Sequence, residues 1–298
     1  MKIAVISDHA IPSWSSRQIL LALENLGITS LYIRPSEIVS VFGEDEHRVL
    51  HLPSLKPLDV EGAILRDLGV SLTLESFLRR CDAVRHLELT GVTVVNPVES
   101  MISARDKYYS LMLLAKAGVP VPKTAVLEDF MTVAKIVESW GKTVIKPLIG
   151  SMGFGIVLAE NPDIAYTIAR TILQLKQPIY LQRYVEKPGR DIRVLAIGDT
   201  IIAAYYRIQV SPNAWKTNVA QGAKPVLIPK PDKELEDIAI KTMKTLKLYY
   251  AGIDIVESDN GYKVLEVNAA PQWRGLQKTT GVNPAMHLAK YVISLIKR

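Results

Sequence analysis

Near its C-terminus the chain reads AGIDIVESDNGYKVLEVN at residues 251–268. Apolar residues dominate both ends of this stretch, and Asn260-Gly261 between them is a strong signal for a tight turn. We therefore predict an antiparallel hairpin, in which Asp254 and Glu266 can come opposite each other. Asn268 then lies on the same face as Glu266, because side chains alternate along a strand.

Two carboxylates and an amide oxygen would converge on this face. Like charges that oppose each other destabilise a sheet, so a bound cation is the natural resolution, and oxygen ligands favour Mg²⁺. The alternative is a solvated hairpin whose acids face water. It suits Glu257 and Asp259 in the turn, but it suits Asp254 and Glu266 less well, because each interrupts an apolar run. We therefore expect Asp254, Glu266 and Asn268 to be metal ligands.

Bulk composition predicts an ordinary globular protein. The 298 residues are 48% hydrophobic and 22% charged, which allows two or three compact lobes. No apolar stretch approaches the length of about 20 residues that a membrane span needs, and residues 1–7 have the pattern of a strand, not of a signal peptide. The single Cys81 excludes an internal disulfide. We expect a cytoplasmic protein without a membrane partner.

The charge balance favours an anionic ligand. The net charge is +6, and lysine and arginine are spread along the chain without a basic tract. A nucleic-acid-binding module would need clustered basic and aromatic residues, which the sequence lacks. A dehydrogenase would carry Gly-x-Gly-x-x-Gly after the first strand, which is missing too. A nucleotide with an acidic substrate explains the charge, and we expect no nucleic-acid partner.

Strand and helix patterns alternate over the first hundred residues, which predicts a parallel sheet with helices on its faces. Asn96-Pro97 breaks this pattern, and one long helical pattern follows over residues 100–117. The next segment surrounds a glycine loop, and the last segment ends with the hairpin. We predict domains at residues 1–97, 98–182 and 183–298.

The glycine loop has the sequence GSMGFG at residues 150–155, just after a predicted strand that ends at Lys146. Three glycines let the backbone approach phosphate oxygens closely. The loop lacks the P-loop pattern and leads into a strand, so we interpret it as a flap over a nucleoside triphosphate. An ordinary glycine-rich turn is the alternative, but the acidic hairpin favours the flap.

Several polar residues of the third segment are further candidates. The strand at residues 180–185 could present backbone groups to an adenine or be a plain core strand, and Glu186 could hold a ribose hydroxyl or be exposed. Asp191 and Arg193 share one face of the next strand, where a surface ion pair is the alternative. Arg207 could neutralise charge at a phosphoryl or tetrahedral centre.

Taken in order, these motifs resemble those of the RimK-type glutamate ligases, which are ATP-grasp enzymes. The matching residues are DK at 106–107, Lys146 with its glycine loop, LQRY at 181–184, DIR at 191–193, KTN at 216–218, Asp254, LEVNAAP at 265–271 and KTTGVN at 278–283. The ordered set is far more specific than any single motif. The resemblance implies an α/β ATP-grasp fold, with an N-terminal parallel α/β domain followed by two lobes that clasp ATP.

The resemblance also implies roles for residues. Asp254, Glu266 and Asn268 would hold two Mg²⁺ ions, with Mn²⁺ as a substitute, and Arg207 and Arg193 would be catalytic. The implied ATP-binding residues are Lys107, Lys146, Gly150, Ser151, Met152, Gly153, Gln182, Arg183, Tyr184, Glu186, Asp191, Lys216, Thr217 and Asn218.

Two departures from the family pattern stand out. Arg183 replaces an acidic residue that the family usually places beside the adenine. Gln272, Trp273 and Arg274 replace small or acidic residues, which indicates an altered acceptor pocket. Trp273 and Arg274 would suit an acceptor with a flat ring and acidic groups, and a core tryptophan beside a surface arginine is the alternative.

The family's chemistry joins a carboxylate to an amine through an acylphosphate. We therefore expect transfer of L-glutamate to the carboxylate of a pterin- or flavin-derived cofactor or of a protein C-terminus. One alternative is a ligase that acts on a carrier protein in lysine or arginine biosynthesis. Another is an ATP-binding regulator without catalysis, which the intact lysines and acidic residues disfavour. The oligomeric state is left open, with a homo-oligomer as one option.

Overall fold

The computed structural model of the protein describes residues 1–70, 72–148, 155–210 and 223–297. The N-terminal elements are β1 (Lys2–Ile6), α1 (Trp14–Asn25), β2 (Thr29–Ile33), β3 (Ile38–Gly43), β4 (Glu46–His51), β5 (Lys56–Pro57), β6 (Gly62–Leu65), α2 (Leu74–Leu89) and β7 (Thr93–Val95). Four of these strands form a parallel sheet in the order β2-β1-β6-β7, as the sequence predicted. An antiparallel sheet β3-β4-β5, which the sequence pattern did not indicate, lies beside α2.

Helices cover both faces of the parallel sheet. Ile3 and Val5 of β1 belong to one apolar cluster, whereas Ala4 and Ile6 belong to another. The alternation therefore buries both faces of the strand, as is usual in parallel sheets. The helix that ends the described chain shares the first cluster through Leu288, so the C-terminus packs back on the N-terminal domain.

The central lobe is an antiparallel sheet with two helices on one face. The elements of this stretch are α3 (Val98–Arg105), α4 (Lys107–Lys116), β8 (Thr124–Leu127), α5 (Phe130–Trp140), β9 (Thr143–Lys146), β10 (Val157–Ala159), α6 (Pro162–Gln174) and β11 (Ile179–Arg183). The strand order is β10-β9-β11-β8. Val133 and Val137 of α5 and Ala165 and Ala169 of α6 pack with Ile145 in one buried cluster.

The C-terminal lobe is built on a five-stranded antiparallel sheet. Its elements are β12 (Arg190–Ile197), β13 (Thr200–Ile208), β14 (Lys224–Ile228), α7 (Lys233–Thr245), β15 (Tyr250–Ser258), β16 (Gly261–Asn268), α8 (Arg274–Thr280) and α9 (Pro284–Ile296). The strand order β14-β13-β12-β15-β16 places the predicted hairpin at one edge, with β15 between β12 and β16.

The single helix predicted over residues 100–117 is wrong, because the chain leaves helical geometry at Asp106. This residue has φ −84° and ψ 103°, and its side chain accepts hydrogen bonds from the N–H groups of Tyr108 and Tyr109 at 2.8 and 3.1 Å. Asp106 thus caps α4 and makes Lys107 its first residue. Although α3 and α4 fall inside the predicted domain 98–182, both contact β16 of the C-terminal lobe.

Two buried polar residues join the N-terminal domain to the chain around β16. Asn96 donates hydrogen bonds to the carbonyls of Tyr250 and Ala269 at 2.8 and 2.7 Å, and it accepts one from the N–H of Tyr249 at 2.6 Å. Arg66, just after β6, donates to the carbonyl of Pro271 at 2.8 Å. Because β16 ends at Asn268, these contacts fix the turn that follows it. None of the helices in the described part of the chain is long and apolar enough to cross a bilayer.

Candidate active site

The predicted hairpin forms, and Asp254 lies directly opposite Glu266. A β-bulge follows, because Ile255 pairs with Val264 and leaves Leu265 as an extra residue. Bulges re-aim side chains, and here both Leu265 and Glu266 line one cleft.

Asn268 lies opposite Gly252, two residues beyond Glu266 on the same strand. It is half-buried, and the described residues that line the cleft do not include it. The structure therefore brings the two predicted acidic ligands into one cleft, with the amide next along the strand.

The cleft lies between the central and C-terminal sheets and holds about 670 Å³ of empty space, part of it open to solvent. The apolar lining residues are Val144, Ile156, Val185, Val256 and Leu265. The polar lining residues include Lys146, Gln182, Lys187, Asp191, Arg207, Asp254 and Glu266. An apolar slot beside a charged region suits a ligand with a flat ring and an anionic tail.

Asp254 is held by two arginines from neighbouring strands. Its Oδ1 lies 2.5 Å from Nε of Arg193, and its Oδ2 lies 3.1 Å from Nη2 of Arg207. Burial by itself would raise the pKa of Asp254, but the two guanidinium groups outweigh burial and keep the pKa below its usual value. Asp254 is therefore an anion in a buried position.

Arg207 bridges two carboxylates. Its Nε and Nη2 lie 2.6 and 2.9 Å from the oxygens of Asp191, which is its cross-strand partner on β12. Burial opposes the charge of Arg207, but the attraction of Asp254 and Asp191 raises its pKa further above the usual range. Asp191 and Arg193 share one face, as predicted, and each contacts a partner in the cleft network.

Lysines complete the charged region. Nζ of Lys146 lies 2.7 Å from Oε1 of Gln182, and burial lowers the pKa of Lys146 to about 8, with Lys107 adding to the effect and Glu266 opposing it. Nζ of Lys107 lies 3.8 Å from Oε1 of Glu266. Nζ of Lys187 lies 3.8 Å from Oδ2 of Asp191, and burial lowers the pKa of Lys187 as well.

Cations outnumber carboxylates in this network. Among the described residues, the ion pairs in and around the cleft join three carboxylates, those of Asp191, Asp254 and Glu266. Five cationic side chains lie with them, those of Lys107, Lys146, Lys187, Arg193 and Arg207. The region thus has a formal excess of positive charge, which favours a polyanion such as a triphosphate.

The donor set also fits a hard divalent cation. Asp254 and Glu266 supply carboxylate oxygens from facing positions, and Asn268 supplies an amide oxygen two residues further along. A buried carboxylate is costly without a counter-ion. The two guanidinium groups beside Asp254 supply this positive charge, and a metal ion at the same carboxylate would supply it too.

Two backbone amides at the end of the predicted adenine-binding strand already have partners within the protein. The N–H of Arg183 donates to the carbonyl of Lys123, and that of Tyr184 donates to the carbonyl of Lys142, both at 2.9 Å. These two amides are therefore used within the lobe. Arg183 is among the residues that line the cleft, next to Gln182, whose side chain contacts Lys146. Glu186, by contrast, has a side chain that is 74% exposed and lies 3.4 Å from Lys142.

Two sets of predicted ATP-binding residues lie outside the described residues. They are Gly150, Ser151, Met152 and Gly153 of the glycine loop and Lys216, Thr217 and Asn218.

The proposed substrate contact at Trp273 needs correction. The side chain is 1% exposed and packs in the core, with the guanidinium of Arg66 stacked 4.7 Å from the ring. A buried indole has no free face for an acceptor. Arg274, the first residue of α8, is exposed. Trp273 and Arg274 are therefore a core tryptophan beside a surface arginine, which is the alternative given above.

Sequence reasoning missed Lys187, Arg66 and Asn96. Lys187 follows β11, lines the cleft and pairs with Asp191 four residues further along the chain. Arg66 follows the buried segment GAIL, and a charged residue directly after a buried strand is the one signal that could have drawn attention to it. Asn96 reads in the sequence only as part of the Asn96-Pro97 break between two segments.

Two lobes, each built on an antiparallel sheet, face each other across a cleft of acids, arginines and lysines. This arrangement is that of an ATP-grasp ligase. The family model of the RimK-like ATP-grasp domain matches residues 104–292, and the chain belongs to this family. The predicted family and fold class are thus confirmed, and the protein is an ATP-dependent, ADP-forming ligase. The family uses ATP and Mg²⁺.

Curated relatives match along almost the whole chain. The tetrahydromethanopterin:alpha-L-glutamate ligase of Methanococcus maripaludis is 30% identical over 305 residues, which cover 100% of this chain and 99% of the relative. A probable alpha-L-glutamate ligase of Stutzerimonas stutzeri is 32% identical over 300 residues, which cover 98% of this chain and 95% of the relative.

A solved structure supports the fold. The ATP-grasp ligase PsnB, complexed with a minimal precursor, Mg and ADP, superposes with a TM-score of 0.76 and 20% identity, covering 99% of this chain and 98% of that chain. At this level of identity the likeness establishes the fold alone.

Proposed function

We propose that this ligase adds L-glutamate to the carboxylate of a tetrahydropterin-type coenzyme, with cleavage of ATP to ADP and phosphate. The observation that carries the proposal is the facing pair Asp254 and Glu266 in a cleft with an excess of cationic side chains. The similarity to a tetrahydromethanopterin ligase along the whole chain supports the acceptor class.

The proposed reaction has two steps. The acceptor carboxylate attacks the γ-phosphoryl group of ATP, which releases ADP and forms an acylphosphate. The amine of glutamate then attacks the acyl carbon, and phosphate leaves through a tetrahedral intermediate. Phosphoryl transfer needs alignment and charge neutralisation more than a protein nucleophile, so a cleft of lysines and arginines is adequate.

Individual side chains take roles that follow from their position. Lys146 and Lys107 bind phosphate oxygens from opposite lobes, and Arg207 neutralises charge that develops at the reacting centre. The apolar slot around Val144 and Leu265 receives the adenine. An acylphosphate hydrolyses in water, so a cover is required, and we assign it to the glycine loop at residues 150–155 from its sequence.

Asp254, Glu266 and Asn268 are the residues that would hold Mg²⁺, which when bound neutralises triphosphate charge. We propose that these side chains would hold two ions, with Mn²⁺ as an acceptable substitute.

The test is an assay of nucleotide and acceptor products. The purified protein is incubated with ATP, Mg²⁺ and L-glutamate and with tetrahydromethanopterin, an acidic peptide or a carrier protein as acceptor. We expect ADP release that depends on the pterin and a pterin product extended by glutamyl residues in mass spectra. Release of AMP would contradict the acylphosphate route, and ATP binding without any product would favour the regulator.

A second candidate acceptor is a protein C-terminus. The similarity to the probable alpha-L-glutamate ligase of Stutzerimonas stutzeri, whose name specifies no pterin, favours keeping this candidate. Extension of the peptide but not of the pterin in the same assay would select it.

A further inference from the structure

We propose that Arg193 is the resident counter-cation of Asp254 in the metal-free enzyme and that a divalent metal must displace its guanidinium to bind. This inference rests on the proposed metal role of Asp254 and adds a competing group to it.

The contact geometry places Arg193 on the coordinating oxygens. Nε lies 2.5 Å from Oδ1 of Asp254, and Nη2 donates to Oδ2 at 3.1 Å. The two residues are cross-strand partners on β12 and β15. The guanidinium thus forms a hydrogen bond with one oxygen and an ion-pair contact with the other. A metal ion that binds Asp254 therefore meets the positive charge of this guanidinium at both oxygens.

The chain leaves room for the guanidinium next to the remaining ligands. A Cβ added at Gly252 would come within 2.9 Å of Nη1 of Arg193 and within 2.8 Å of Cβ of Pro271. Gly252 is also the cross-strand partner of Asn268. The guanidinium of Arg193 therefore lies beside the part of the hairpin that carries Asp254 and Asn268, where a metal would bind.

The other arginine is less able to act as the exchanging group. Arg207 makes a bidentate contact with Asp191 in addition to its contact with Asp254, so it keeps a carboxylate when a metal takes Asp254. Among the described residues, Asp254 is the one carboxylate recorded within ion-pair distance of Arg193. A metal at Asp254 would therefore take the place mainly of the Arg193 guanidinium. The released guanidinium would then be available to an anionic substrate.

The test compares metal binding in Arg193→Gln with that in a matched control. Arg190→Gln removes a similar cross-strand contact on the same two strands, because Arg190 lies 2.6 Å from Glu257, away from the cleft. Mn²⁺ binding is measured by electron paramagnetic resonance without glutamate or acceptor. We expect Arg193→Gln to bind Mn²⁺ about tenfold more tightly than wild type and Arg190→Gln to bind it unchanged.

A second measurement guards against a purely structural effect. In Arg193→Gly, added methylguanidinium is expected to restore competition and weaken Mn²⁺ binding again. Thermal melting provides a third measurement, in which Mn²⁺ should raise the melting temperature of Arg193→Gln more than that of wild type.

Unchanged or weaker Mn²⁺ binding in Arg193→Gln would overturn the inference. Asp254→Asn separates this failure from that of the proposed function. If Asp254→Asn binds Mn²⁺ like wild type, the metal role itself fails. If it loses binding while Arg193→Gln gains none, the exchange alone fails.

Discussion

Nζ of Lys146 lies 2.7 Å from Oε1 of Gln182, so the hydrogen-bond partner of this buried ammonium group is a neutral amide. The two residues belong to neighbouring strands β9 and β11 of the central lobe. An amide dipole compensates a buried charge only in part, which explains why burial lowers the pKa of Lys146 to about 8. The lysine is therefore ready for an anionic ligand.

The first prediction concerns the stability of the ligand-free protein. Because the pKa of Lys146 is lower in the folded state, its charge disfavours folding below about pH 8, and this penalty disappears as the pH rises towards the unfolded value of 10.5. Lys146→Met should then raise the free energy of unfolding at neutral pH by about 1–3 kcal/mol. The loss of the hydrogen bond between Lys146 and Gln182 reduces this gain.

Urea denaturation at neutral pH and at about pH 10 measures this effect. The exposed Lys244, which lies 3.1 Å from Asp199, provides the control Lys244→Met, for which we expect little change. A Lys146→Met protein that is less stable than wild type at neutral pH would argue against the charge penalty.

The second prediction links ATP binding to proton uptake. A triphosphate beside Lys146 restores its charge, so binding at about pH 9 should take up close to one proton per ATP. ATP affinity should accordingly fall by up to about tenfold per pH unit above about pH 8. Isothermal titration calorimetry in two buffers of different ionisation enthalpy gives the proton count. Lys146→Gln should show no such uptake, and an unchanged count in that variant would refute the assignment.

The third prediction concerns Arg207, which holds two carboxylates at once. Arg207→Met leaves buried Asp254 and Asp191 without their shared partner and should destabilise the protein by about 3–5 kcal/mol. Adding Asp191→Asn removes one of these charges and should recover part of the stability. Ligase activity should not return, because the cation at the reacting centre is still missing. Chemical denaturation and the ADP assay on the same samples measure the two effects; additive losses of stability would contradict the coupling.

The fourth prediction compares two acids of one hairpin. Glu266 faces the cleft, whereas Asp259 is exposed in the turn. Glu266→Gln should lower ligase activity at limiting Mg²⁺ by at least about a hundredfold and raise the Mg²⁺ concentration that gives half-maximal rate. Asp259→Asn should leave both quantities unchanged. Equal effects of the two substitutions would mean that the hairpin acts through its overall charge.

The active-site hairpin itself could be predicted, because Asn260-Gly261 between two apolar runs marks its turn. Ser258 pairs with Gly261 at this turn, and that register by itself would place Asp254 opposite Leu265. The extra residue of the bulge shifts the partner of Asp254 to Glu266. The bulge at Leu265 could not be predicted, since the sequence has no glycine or proline there to mark it. It changes which side chains line the cleft.

Contacts that hydrophobic periodicity does not encode decided the other outcomes. Asp106 interrupts a helical pattern because its side chain caps a second helix, an option that periodicity alone does not reveal. Trp273 and Arg274 together suggest an acceptor with a flat ring and acidic groups, whereas the ring of Trp273 is covered by Arg66 from a distant segment. Lys187 lies only four residues before Asp191, and their ion pair depends on how the chain runs from β11 into β12.

Arg66 and Asn96 both precede residue 104, where the match to the family begins, yet they hold the turn after β16 through the carbonyls of Pro271 and Ala269. Chimaeras that exchange the first hundred residues between relatives would therefore disturb catalysis unless these two side chains are retained. An effort to retarget the enzyme to new acceptors has to treat them as belonging to the catalytic half of the protein.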